Sequence, residues 1–308
     1  MSVRHGLSKT AWLTALNLAL VCSGCDDPLK RASLIEETRV LGARVELASD
    51  AQRGSPAPGE DARLRLFVAA PNGAPNVAYA FTLCGVSPTN SGFPRCASAP
   101  FATALRTDPS TEAVAFDFTV PAALDRASTP HGFASGVICP DEPALFAPDG
   151  AARCANGPGG AFGFEFDFAG PGEDNQNPTF ATDALTLDGE SWTASDLAAA
   201  CADAPAVNAG TRHSLGARLE PSDFDALVPL SSEDPTRESL LLARFTSAGT
   251  LAHTFASLSP SSAAGASEVT WDAPSTAAAG GTRVQFYFVV RDGRGGEDFA
   301  ARTLCVVP

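Results

Sequence analysis

The sequence predicts an all-β protein, built of antiparallel sandwiches behind an N-terminal export segment. Three observations carry this expectation. Apolar residues recur at every second position in stretch after stretch, above all Phe162, Phe164, Phe166 and Phe168, and again Val284, Phe286, Phe288 and Val290. Pro- and Gly-rich turns separate these stretches, and no long helical period interrupts them. Low charge density, with 18% charged and 44% hydrophobic residues, suits packed structure rather than disorder.

The first element is the export segment. Arg4 and Lys9 give a positive start, Ala11 to Val21 an apolar run, and Cys22-Ser23-Gly24-Cys25-Asp26-Asp27 a small-residue boundary. This is the order of a secretory signal peptide. The run is too short to span a bilayer, which takes ~20 apolar residues. Small residues just before a cysteine resemble the lipobox of bacterial lipoproteins. That resemblance implies cleavage after residue 24 and a thioether-linked diacylglycerol with an amide-linked acyl chain on Cys25. It departs from the usual lipobox at Cys22, where Leu, Val or Ile is common. Residues 1–24 are then a signal peptide and 25–37 a polar tether.

Removing the signal takes two basic residues and no acids, leaving 19 basic against 35 acidic. So acidic a chain repels phosphate backbones, and nucleic acid is not an expected partner. Eight cysteines are present. With Cys22 removed and Cys25 acylated, Cys84, Cys96, Cys139, Cys154, Cys201 and Cys305 remain, an even set that implies disulfides in an oxidising compartment. Chain proximity favours Cys84–Cys96 and Cys139–Cys154, which leaves Cys201–Cys305. No CxxC pair or His/Cys cluster survives in the mature chain, so no metal site or cofactor is expected.

Period two begins at Val40, in a strand running to about Ser49. It returns at Leu64, Leu66 and Val68, at Val77, Tyr79, Phe81 and Leu83, and at Val114, Phe116, Phe118 and Val120. The Phe162–Phe168 ladder closes the first set, residues 38–170. Alternation puts one residue set on a buried sheet face and the other in water, so the ladder reads as core rather than as an exposed platform for sugar. Residues 170–178 carry no apolar period and read as a solvated hinge. A second set, 171–308, opens with Leu185-Thr186-Leu187 and the turn pair Asp188-Gly189. One or two helical turns are expected over Thr193–Cys201, with Thr193 as cap. Strands follow near His213–Leu219, Ser239–Phe245, Leu251–Phe255 and Val269–Asp272. The Val284–Val290 strand then turns through Asp292-Gly293-Arg294-Gly295-Gly296 and returns from Phe299 to Val307.

Trp271-Asp272-Ala273-Pro274, the Val/Phe strand and Val290-Arg291-Asp292-Gly293-Arg294-Gly295-Gly296 resemble the end of PKD-like and related bacterial immunoglobulin-like domains. The resemblance implies two immunoglobulin-like β-sandwiches in an extracellular setting, and no activity. Gly170 to Phe180 resembles the linker of cadherin-like arrays, where carboxylate and amide oxygens bind calcium. That resemblance points to Glu173 and Asp174 as oxygen ligands, although Gln176 replaces one acid of the pattern.

No HExxH helix, GxSxG elbow or phosphate-binding glycine loop occurs. His131, His213 and His253 fall at no metal or nucleophile spacing, and His213 and His253 read as surface or partly packed imidazoles. Adjacent acids such as Asp141-Glu142 and Glu297-Asp298 read as solvated charges. The expected role is therefore non-catalytic: a lipid-anchored envelope protein holding an envelope protein or polysaccharide partner near the membrane. The rival is a carbohydrate-binding module or envelope hydrolase using loops at one sandwich end, with an exposed Trp192 or Trp271 as its visible sign.

Overall fold

The computed structural model describes residues 32–87, 94, 96–157, 159–170, 174–194, 197, 200–225, 237–259 and 265–308. Ser33–Pro308 forms one compact unit. Cys25, the signal segment and the tether up to residue 31 lie outside the described residues. Among the described residues there is no α-helix, and no helix long and apolar enough to cross a membrane.

Nine strands come first: β1 Arg39–Leu47, β2 Asp61–Ala69, β3 Val77–Val86, β4 Ala102–Ser110, β5 Val114–Thr119, β6 His131–Pro140, β7 Ala144–Phe146, β8 Ala152–Cys154 and β9 Gly160–Asp167. Sheet β1-β2-β5 faces sheet β4-β3-β6-β9. Their inward residues form one core from Val45, Leu64, Phe81, Ile138 and the Phe ladder. Phe164, Phe166 and Phe168 are buried and Phe162 packs at the margin, with neighbouring rings 5.5–6.4 Å apart. Gly132, opposite Phe166 on β6, makes room for its ring, because a Cβ there would meet the ring carbons. The β7–β8 hairpin lies on the outer face and buries Ala78, Ala80 and Val137.

Ten strands follow: β10 Leu185–Leu187, β11 Glu190–Ser191, β12 Ala206–Asn208, β13 Arg212–Arg218, β14 Leu240–Thr246, β15 Thr250–Leu251, β16 Phe255–Leu258, β17 Ala266–Asp272, β18 Thr282–Arg291 and β19 Glu297–Val307. They pair as β11-β10-β13-β17-β15 and β12-β19-β18-β14-β16. Trp192, Trp271, Phe286 and Phe288 centre the second core, with Phe286 edge-on to both indoles. Among the named strands of the described residues, β12 pairs with β19 in parallel and the other ladders are antiparallel.

Three expectations change. The strand expected over Leu251–Phe255 breaks at Ala252–Thr254, where the chain crosses from the sheet of β15 to that of β16. In the helical stretch expected from Thr193 to Cys201, Thr193 and Ala194 are extended or irregular, and much of the rest lies outside the described residues. Among the described residues the helical turn there is a 3-10 turn at Cys201–Asp203. The third change is the largest. On β18 the residues between the core positions are not in water: Gln285, Tyr287 and Val289 are fully buried. The first sandwich covers that outer face.

Candidate functional site

The covered face is the junction between the sandwiches, and it has an apolar and an ionic half. The apolar half packs Leu41, Phe67 and Ala69 of β1 and β2 against Ala243, Tyr287 and Val289 of β14 and β18, with Ile35 beside them. Phe67 stacks on Phe299 of β19 at 4.4 Å. The Tyr287 hydroxyl lies 2.6 Å from both the Ala70 carbonyl and Gln285 Oε1, and Ala70 N–H donates back to it. Burial pushes its pKa up to about 12.

The ionic half is built around Glu297, at the start of β19, which the sequence reading took for a solvated charge. It is 5% exposed. Its Oε2 accepts the Ala43 amide at 2.9 Å, and Oε1 accepts Arg291 Nε. Arg291 also donates to the Leu41 carbonyl. Both anchors flank the bulge in β1 between Val40 and Gly42. Gly42 is required, because a Cβ there would overlap the Glu297 carboxylate. Burial pushes the Glu297 carboxyl up to about 7, more than Arg291 and the Ala43 amide pull it down.

The stretch expected to be a solvated hinge feeds this network. Residues 171–173, with the expected calcium ligand Glu173, lie outside the described residues. Asp174 pairs with Arg53 at 3.1 Å. Asn175 and Asn177 are buried. Asn177 Nδ2 donates to Val45 O on one sandwich, while its Oδ1 accepts the Glu297 amide of the other. Asn175 accepts no solvent role either: its amide donates to Ser55 Oγ and its Nδ2 to Asp292 Oδ2. Asp292 also caps its own turn by accepting the Arg294 and Gly296 amides. Arg294 then reaches Glu238 at 2.7 Å and Asp225 at 3.0 Å. Asp298 accepts Arg44 at 3.1 Å and the Phe180 amide at 2.7 Å. Burial raises the pKa of Asp292, Asp298 and Glu238 against these donors. The segment is thus a mortise: the Nδ2 groups of Asn175 and Asn177 donate to protein acceptors on both sides of it. Among the described residues no group of three or more His, Cys, Asp or Glu side chains is placed to hold a metal ion.

A second constellation surrounds His213, which is partly packed. Thr211 and His213 share one strand face, and the Asp188-Gly189 turn brings a carboxylate to the same ring. His213 Nδ1 is 2.7 Å from Asp188 Oδ2 and Nε2 is 2.7 Å from Thr211 Oγ1. A hydroxyl, imidazole and carboxylate in this order can activate a nucleophile. Here the hydroxyl is already committed, donating to the Asn208 carbonyl at 2.6 Å. With its one proton on that carbonyl, the hydroxyl is not free to donate to the ring. Asp188 adopts φ +51°, and its other oxygen accepts the Ser214 amide. Burial raises its pKa, but the His213 and Ser214 hydrogen bonds outweigh that and hold it below the usual range. The arrangement locks two turns together. The signal in the sequence was Thr-x-His at the start of a strand with Asp-Gly in the neighbouring turn.

The disulfides join Cys84–Cys96, Cys139–Cys154 and Cys201–Cys305, with Cα separations of 5.5, 5.5 and 5.0 Å. The second fastens the β7–β8 hairpin to β6, and the third ties the 3-10 turn to the last strand. Trp192 and Trp271 are 2% and 0% exposed, so neither presents a ring to a saccharide at the surface.

No protein family matches the chain, and no curated protein does. Among solved structures, a chain of dimeric latent PorU from Porphyromonas gingivalis is similar over 88% of this chain and 24% of its own length, at 12% identity and a TM-score of 0.25. The chain therefore spans about a quarter of that protein's length. A likeness so slight assigns no activity, and the chemistry of the junction stands on its own residues.

Proposed function

We propose that the chain is an exported, lipid-anchored protein of the bacterial cell envelope with a non-catalytic role, holding a protein or polysaccharide partner at a set distance from the membrane. The observation that carries this reading is the buried junction, which joins two sandwiches within one compact unit as a spacer requires. Three disulfides support an oxidising compartment. The acidic balance disfavours nucleic acid and supports a solvated envelope setting. Cys25 carries the anchor, since one acyl chain alone binds membranes only marginally and a lipobox cysteine receives several.

Mass spectrometry of the mature N-terminus from native envelopes tests the anchor. The expected species begins at Cys25 with the mass of a diacylglycerol and an amide-linked acyl chain, and Cys25→Ser moves the protein from the detergent to the aqueous phase. An unmodified Cys25 overturns the reading. A hydrolase remains the alternative because of the Asp188–His213–Thr211 chain. Wild type and Thr211→Val are expected to release no p-nitrophenol from p-nitrophenyl acetate above buffer. Turnover in wild type that Thr211→Val abolishes would favour the hydrolase.

A further inference from the structure

Four large apolar side chains are exposed among the described residues, and two of them are neighbours. Phe255 on β16 is 52% exposed and Leu241 on β14 is 42% exposed. Phe255 pairs with Ala243 and Leu241 with Ser257, so both project from one sheet face, diagonally adjacent across two strands. It is the face that the first sandwich covers through Ala243, Tyr287 and Val289. The apolar surface therefore continues beyond its cover to the sheet edge at β16.

The chain from the N-terminus joins the fold at that edge. Leu34 bridges Thr246 in parallel, with Ile35 N–H donating to Thr246 O and Thr246 N–H to Ser33 O. Parallel pairing points the chain upstream of Ser33 back toward Arg244 and Ala243. There the edge is already filled, since Thr254 O accepts the Arg244 amide and Phe255 pairs with Ala243. Ala32 and Ser33 turn the chain at this point of the edge. Eight residues separate Cys25 from Ser33 by position, a reach of at most ~26–29 Å when fully extended.

Charge singles out the same region. In a chain with 35 acidic residues, none occurs between Glu238 and Glu268, the stretch that contains β14, β15 and β16. The exposed Arg237 lies four residues before Leu241, and the exposed His253 two before Phe255. A carboxylate-free, apolar edge at the point where an anchored chain joins the fold is suited to a lipid surface.

We propose that the β14–β16 edge around Leu241 and Phe255 is a membrane-contacting face, which rests on the bilayer that holds the Cys25 anchor. The proposal builds on the lipid-anchor reading. The anchor supplies the local concentration, so two side chains are enough to orient the molecule without binding a membrane by themselves. The sandwich then lies with its β16 edge down, and the end of the first sandwich farthest from that edge is left free for a partner.

The test uses the full-length, processed protein in phosphatidylcholine vesicles, with Phe255→Trp as reporter and Leu105→Trp as control. Leu105 is equally exposed, at 51%, on the first sandwich, and the native Trp192 and Trp271 are buried, so wild-type emission subtracts cleanly. The expected result is at least twofold quenching of Phe255→Trp by bromine-labelled lipid, with Leu105→Trp unquenched. Equal emission from both reporters, with Cys25 shown acylated by mass spectrometry, overturns the membrane face and leaves the anchor standing. An unacylated Cys25 overturns both. Both substitutions are at exposed sites, and an unchanged melting temperature confirms that each reporter is folded.

Discussion

Replacing Cys201 and Cys305 together by alanine lowers the stability of Ser33–Pro308 by about 4–5 kcal/mol, the value for closing a loop of roughly one hundred residues in the chain-entropy description. The bond closes 104 residues of sequence, against 12 and 15 for the other two, for which the same description gives about 3 kcal/mol each. Structure adds to the entropy. β12 has three residues, pairs with β19 in parallel, and is followed by the turn that leads into β13. Its upstream neighbour Pro205 accepts the Cys305 amide. Without the covalent tie this short parallel strand frays from the sheet edge. Gly281, at φ +86°, is the residue that leaves room for the two sulfurs. Denaturant unfolding of the double variant measures the loss. A midpoint within about 1 kcal/mol of wild type would show that the cross-link constrains nothing the fold does not already hold.

Arg291→Met costs about 3–5 kcal/mol at pH 8, because removing one partner of a buried pair strands the other charge. The loss shrinks as pH falls, since Glu297 can then take a proton. The sign follows from linkage. Glu297 has an ordinary pKa of 4.5 and is raised to about 7 in the fold, so between these values the folded state holds more protons than the unfolded chain. Stability from this group therefore rises as pH falls from about 7 toward 4.5. Asp292, Asp298 and Glu238 are raised by burial and act in the same direction. Asp117, with its Arg63 partner, and Asp272, with Arg212, are lowered. What they contribute is present above the ordinary aspartate pKa and is lost as pH falls below it, which sets the acid limit. Wild-type protein is thus expected to melt about 2–8 °C higher at pH 5.5 than at pH 7.5, for ~1–2 kcal/mol at 2–4 °C per kcal/mol in a chain of this size. Glu297→Gln keeps an acceptor for Ala43 and removes most of the slope. A wild-type melting temperature that falls steadily from pH 7.5 to 5.5 would rule out this account of the junction.

The sequence carried the strands further than it carried the site. Phe162 to Phe168 and Val284 to Val290 announce their strands because a pleated chain turns successive side chains to opposite faces. The same rule misplaced Tyr287 and Val289, which alternate as solvent residues should but are covered by β1 and β2. Nothing within ten residues of Tyr287 signals a cover that comes from more than 200 residues away. Asn175 and Asn177 misled for a similar reason. A polar, Pro- and Gly-flanked stretch reads as hinge, and only the facing backbone at Val45 and the amide of Glu297 turn it into a joint.

His213 shows the middle case. Its partners Thr211 and Asp188 lie two and 25 residues away, and a strand beside a turn was the predicted local structure. What no local pattern supplied was the register of β10 on β13, which sets Leu187 opposite Leu215 and so aims the turn at the ring.

By itself the sequence determined the all-β class, the position of most strands and the three disulfide partners. These depend on period, turn chemistry and the count of cysteines, all of which act over short stretches or by elimination. The tertiary structure alone decided which strand faces are buried twice, that Glu297 enters the space left by Gly42, and that Leu34 bridges Thr246 at the sheet edge. Each of those depends on segments about 200 residues or more apart meeting at van der Waals distance, and burial by a distant surface leaves no period in the chain that is buried.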